Sequence, residues 1–163
     1  MFVHLAPESA MAAIRRSGIK RSPTPDGIPR SVYAMPVTGN FYVAHQWLRE
    51  LKASGARTIV AVYFRIPDDE PVWVGHYREV HTPVTASEAI GIVMHSVNAE
   101  GFEVLVPRKV TAKEVHRTQH LSQVVGWRHY PGAHGTKPCG CPFCQQYGRP
   151  GSAKLRERFE SEC

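Results

Sequence analysis

The run from Thr58 to Ile66 (Thr-Ile-Val-Ala-Val-Tyr-Phe-Arg-Ile) constrains this chain more than any other segment. It is β-branched, aromatic and almost continuously apolar, so it reads as a strand. Shorter runs of similar kind recur at Phe2 to Leu5, Ser31 to Met35, Val72 to Tyr77 and Phe102 to Val106. Helical signals lie between them. Pro7 suits a first helical turn, Met11 and Ile14 share a face, and Gly18 is a natural C-cap. A second helix is expected from about Tyr42 to Ser54, closed by Gly55. Thr85-Ala86-Ser87-Glu88 is a capping box that opens a short helix through about Met94. Ser22 to Pro29 is an irregular loop, and Pro67-Asp68-Asp69-Glu70-Pro71 is an acidic turn. Val115 to Val125 reads as another strand or a short helix, and Ser152 to Glu160 as a charged terminal helix. Several short strands mixed with a few helices predict an α+β fold.

At 163 residues the chain has the size of one domain with a proper core. No apolar stretch reaches the length that spans a bilayer. The opening Met1-Phe2-Val3-His4-Leu5 lacks a basic segment followed by a long apolar one, so a cytoplasmic location without membrane association is the expectation. The net charge of +6 is unevenly placed. Lys/Arg and Asp/Glu balance over residues 1–107, and the whole excess falls in residues 108–163. A basic C-terminal third points to an anionic partner such as nucleic acid, or to a solvated face.

Glu103 stands in Gly101-Phe102-Glu103-Val104-Leu105-Val106-Pro107, an apolar strand-like run opened by Gly and closed by Pro. A carboxylate there is costly to desolvate unless something pairs with it. It is either a strand end pointing at water or a site residue whose charge is used.

Three residues now fall in a telling order: His4 on the first strand, Tyr33 on the second, Glu103 on a late one. This order resembles the His–Tyr–Glu class of ADP-ribosyltransferases, and the surrounding residues resemble its DarT-like branch. The likeness rests on a His-led strand with the helix Ala10 to Gly18, and on Glu-Val-Leu-Val-Pro at 103–107. It covers roughly residues 1–120 and is patchy between the motifs. It implies an ADP-ribosyltransferase-like split β-sandwich with flanking helices over residues 1–125, acting on NAD⁺ as substrate. In the family the Glu, here Glu103, is catalytic: it bonds the ribose and faces the positive charge that develops as nicotinamide leaves. The resemblance further implies that His4 bonds a ribose hydroxyl and that the Leu5 backbone holds the nicotinamide amide. It implies too that Tyr33 and Tyr42 sandwich the ring, with His45 and Phe41 competing for the place of Tyr42. Two residues before the catalytic Glu, many arginine- or asparagine-modifying relatives carry Glu or Gln. Gly101 stands there in this chain.

Residues 126–163 form a basic Cys/His extension, expected to pack on the same domain as a zinc knuckle. His134, Cys139, Cys141 and Cys144 make a tetrahedral Zn²⁺ set, with His129 or Cys163 as alternatives to His134. Four protein ligands leave no open position, so the metal would be structural. An iron–sulfur cluster and free redox-active thiols are the other readings. Arg128, Lys137 and Arg149 interleave with Trp127, Tyr130, Phe143 and Tyr147, a mixture suited to unpaired bases and phosphates. The leading expectation is a mono-ADP-ribosyltransferase with a nucleic-acid acceptor. The alternatives are an NAD-dependent RNA 2′-phosphotransferase-like enzyme, which uses basic residues in place of a late Glu, and a non-catalytic zinc-stabilised nucleic-acid-binding module.

Overall fold

The computed structural model describes residues 1–53, 56–77 and 79–123. The extension at 126–163, with the proposed metal ligands His134, Cys139, Cys141 and Cys144, lies outside the described residues.

The fold is mixed α+β, built on one antiparallel seven-stranded sheet. Its strands are β1 (Phe2–Pro7), β2 (Val32–Pro36), β3 (Ile59–Phe64), β4 (Pro71–His76), β5 (Thr82–Thr85), β6 (Phe102–Val106) and β7 (Val115–His120), in the spatial order β5-β4-β6-β2-β1-β3-β7. The helices are α1 (Met11–Ser17), α2 (Phe41–Ala44), α3 (Leu48–Ala53) and α4 (Ala86–His95). All six residues of β3 are buried. A strand covered on both faces needs no polar alternation, which explains its continuous apolar run. The edge strand β7 is by contrast polar and largely exposed. Among the described residues no helix is long and apolar enough to cross a membrane.

The middle of the sheet is split. β1 pairs with β2 only at Phe2 and Val3, opposite Pro36 and Met35. Beyond that point β1 stays paired with β3 as far as Pro7, while β2 turns to β6 through Val32, Tyr33 and Ala34. The two strands part, and a wedge opens between them.

Local signals hold where nothing overrides them. The capping box forms as expected, with the Thr85 hydroxyl accepting from Glu88 N–H and the Glu88 carboxylate accepting from Thr85 N–H. Gly18 caps α1 at φ 79°, and a Cβ there would lie 2.1 Å from the Val110 carbonyl oxygen. Pro7 does not open a helix. It closes β1, because the ladder to β3 persists through Pro7 and Glu8 N–H donates to Thr58 O at 3.0 Å. A single 3-10 turn, Glu8–Ala10, then leads into α1. The expected helix from Tyr42 to Ser54 is two short helices broken at His45, Gln46 and Trp47, whose side chains are drawn to other parts of the chain. Asn40 caps the first, accepting from Tyr42 N–H and Val43 N–H. Strand β5 was not expected: it is short, contains Pro83 and sits at the sheet edge, where proline is tolerated.

Candidate active site

A cavity of about 540 Å³ occupies the wedge. Val3, His4, Leu5 and Pro7 of β1 form one wall, and Tyr33, Ala34 and Met35 of β2 form the other. Glu103, Trp47, Tyr77, Glu50, Leu51 and Ser22 complete the lining.

His4 stands at the point of divergence. Its Nδ1–H donates to the Tyr33 carbonyl at 2.7 Å, where a β1–β2 ladder bond would otherwise fall. The neutral ring then carries its lone pair on Nε2. Burial holds this imidazole below its usual range and so keeps it neutral. Val37 N–H donates to Met1 O on the β2 side of β1. Peptide groups alternate sides along a strand, so those of Val3 and Leu5 also face β2. At Leu5 the strand β2 has already left, and the Leu5 peptide edge faces the wedge.

Tyr33 reaches the cavity from β2, and its hydroxyl donates to Pro23 O at 2.9 Å. Burial first, then the nearby Glu103 and Tyr77, pushes its phenol up to about 12, so it stays protonated. Glu103 is only 6% exposed, and burial raises its carboxyl to about 7. It is thus an inward-facing carboxyl and not a solvated strand end. His81, 5% exposed, places Nε2 3.1 Å from Glu103 Oε1.

The cavity therefore brings together His4, Leu5, Tyr33 and Glu103. It does not include Tyr42 or His45. Tyr42 sits 38% exposed on the outside and donates its hydroxyl to Glu100 Oε1 at 3.0 Å. His45 is a satisfied core histidine: Nδ1–H donates to Phe41 O, and Nε2 accepts from the Tyr63 hydroxyl at 2.9 Å. The Phe41 ring lies tilted against His45, 4.2 Å between centroids, and does not line the cavity either. The second aromatic wall comes from Trp47 and Tyr77, whose rings meet edge-on at 5.2 Å. Trp47 Nε1–H donates to Phe102 O at 2.7 Å, fixing the indole beside the residue that precedes Glu103. An unbroken helix hides this placement, because only the break at His45–Trp47 turns Trp47 inward.

Gly101 has a physical reason to be glycine. Its φ is 82°, a region that costs other residues about 1–2 kcal/mol. Its N–H donates to Gln46 Oε1 at 2.7 Å, and Gln46 Nε2–H donates to Ala99 O at 2.8 Å. Gln46, fully buried, thus pins the loop that delivers Glu103. Among the described residues no group of three or more His, Cys, Asp or Glu side chains is placed to hold a metal.

Set against known proteins, the chain matches no family model, no curated protein and no solved structure.

Proposed function

We propose that this chain is a mono-ADP-ribosyltransferase that cleaves NAD⁺ in the wedge cavity. The observation that carries the reading is convergence. His4, Tyr33 and Glu103, singled out by order and residue type, are far apart in sequence, stand on the neighbouring strands β1, β2 and β6, and line one cavity with Leu5. In this reading the sheet corresponds to an ADP-ribosyltransferase-like split β-sandwich, divided between β1 and β2.

Each residue has chemistry to contribute. Glu103 as a carboxylate bonds a ribose hydroxyl and faces the oxocarbenium-like charge that grows as the nicotinamide–ribose bond breaks. His4 offers its free Nε2 to another ribose hydroxyl. The Leu5 peptide edge takes the nicotinamide amide, as a strand edge takes a peptide. Tyr33 and Trp47 supply flat faces for the ring, Trp47 standing where Tyr42 was expected. Transfer then requires an acceptor nucleophile. The excess positive charge of residues 108–163 favours nucleic acid, with the Cys/His extension as a zinc-stabilised part of the acceptor surface.

Nicotinamide release from NAD⁺, followed by mass spectrometry with and without DNA or RNA, tests this. Glu103→Gln is expected to lower release by about 10²–10³-fold. No release by the wild type under any condition, or equal release by the variant, contradicts it.

A further inference from the structure

Glu103 has a partner that its own strand does not provide. Directly opposite it on β4 is Gly75. Opposite residues of an antiparallel pair project to the same face, so glycine leaves open the space beside the Glu103 side chain. His81, from the connection between β4 and β5, occupies that space. The fit is close: a Cβ at position 75 would lie 2.9 Å from both Cα and Cγ of His81 and 3.0 Å from Val80 O. His81 Nδ1–H donates to the Glu79 carbonyl at 3.0 Å. That leaves Nε2 to carry the lone pair when the ring is neutral and a proton when it is charged. A carboxylate and a bare Nε2 are both acceptors, so their 3.1 Å contact is a hydrogen bond only with a proton between them.

We propose that His81 is a positioning residue for Glu103: the two share one proton, and His81 takes it at Nε2 when Glu103 faces substrate as a carboxylate. This rests on the reading of the cavity as an NAD⁺ site. Glu103 lines the cavity, whereas the His81 side chain is shut off from solvent on its far side. Burial raises the Glu103 carboxyl and lowers the His81 imidazole, so neither group charges readily alone. Moving the proton from one to the other makes an ion pair without exchanging a proton with water. A pyridinium or an oxocarbenium on the cavity side favours the carboxylate form. The other titratable groups around the pair, among the described residues, are the phenols of Tyr33 and Tyr77, His4 and Glu50 across the cavity, and Glu79 and Asp26, which line a second cavity with His81. Among the described residues no lysine or arginine forms an ion pair with Glu103.

Site-resolved NMR titration of the full chain tests the pair without requiring activity. In the wild type, His81 and Glu103 are expected to report the same two steps. The upper step should lie at least about one pH unit above the single step seen in His81→Gln or in Glu103→Gln. Two independent titrations, each at the pH of the corresponding single variant, overturn the proposal. If His81→Gln fails to fold, Glu103→Gln still reports through loss of the upper step at His81. Nicotinamide release supplies the second readout. His81→Gln is expected to lower kcat about tenfold at pH 6 with KM changed less than about threefold, and to move the acid limb up towards the pH where Glu103 ionises alone. An unchanged pH profile contradicts the role of His81. Coupled titration in a wild type that never releases nicotinamide leaves the pair standing and removes the NAD⁺ reading instead.

Discussion

Glu103 is an expensive residue for this fold to keep. Its carboxyl ionises near 4.5 in an unfolded chain, and burial alone raises that to about 7 in the folded one, before any proton is shared with His81. Below the lower value both states hold the proton. Between the two values the unfolded chain gives it up while the folded chain retains it, so stability falls as pH rises through that window. Above it a penalty of at most about 3 kcal/mol remains. Glu103→Gln keeps the size and can still donate to His81 Nε2, yet it carries no charge. Calorimetry at pH 9 should find this variant melting several degrees above the wild type, with the gap closing by pH 4.5. A wild type at least as stable at pH 9 contradicts the account. Such a gain on removing a charge is expected where function is held at the cost of stability. The sequence makes Glu103 visible, because a carboxylate inside an apolar run is anomalous wherever it folds. It does not do the same for His81, which lies in a connection with no periodic signal. Gly75, inside a strand pattern, was the one available sign of a close approach there.

At the scale of elements, the segment joining α2 and α3 shapes the site more than either helix does. His45, Gln46 and Trp47 each bond a different neighbour, and those bonds stop the helix. Gln46→Ala removes the acceptor for Gly101 N–H and the donor to Ala99 O, at a cost of about 1–3 kcal/mol. Chemical denaturation should register that loss. Nicotinamide release should fall as well, although Gln46 does not line the cavity, because the loop before Glu103 loses its anchor. Unchanged stability and release would show that the loop needs no such anchor. Elements set by local chemistry were legible: the capping box at Thr85 and the buried strand β3 stand where their residues place them. Elements set by distant partners were not. Pro7 remains extended because β3 pairs with it, and α2–α3 breaks for contacts more than fifty residues away in sequence.

Across the whole molecule, the order of strands creates the site. Hydrophobic pattern identifies strands without revealing their neighbours, so nothing in the sequence places β6 beside β2 or parts β2 from β1. The same long-range logic uses part of the basic C-terminal third. Arg108 bonds Glu70 of the acidic turn at 2.8–2.9 Å and Glu114 at 2.7–3.0 Å, which joins the β3–β4 turn to the link between β6 and β7. This guanidinium is therefore committed within the fold, and Arg117 lies 4.5 Å over the Tyr63 ring. On the proposed reading NAD⁺ lies in the wedge between β1 and β2. An NMR titration of Glu103→Gln, which should bind NAD⁺ and cleave it about 10²–10³-fold more slowly than the wild type, tests that placement. Saturable shifts are expected at His4, Leu5, Tyr33 and Trp47, with Tyr42 and His45 unmoved. No saturable shift anywhere, or shifts confined to residues outside the wedge between β1 and β2, would contradict it.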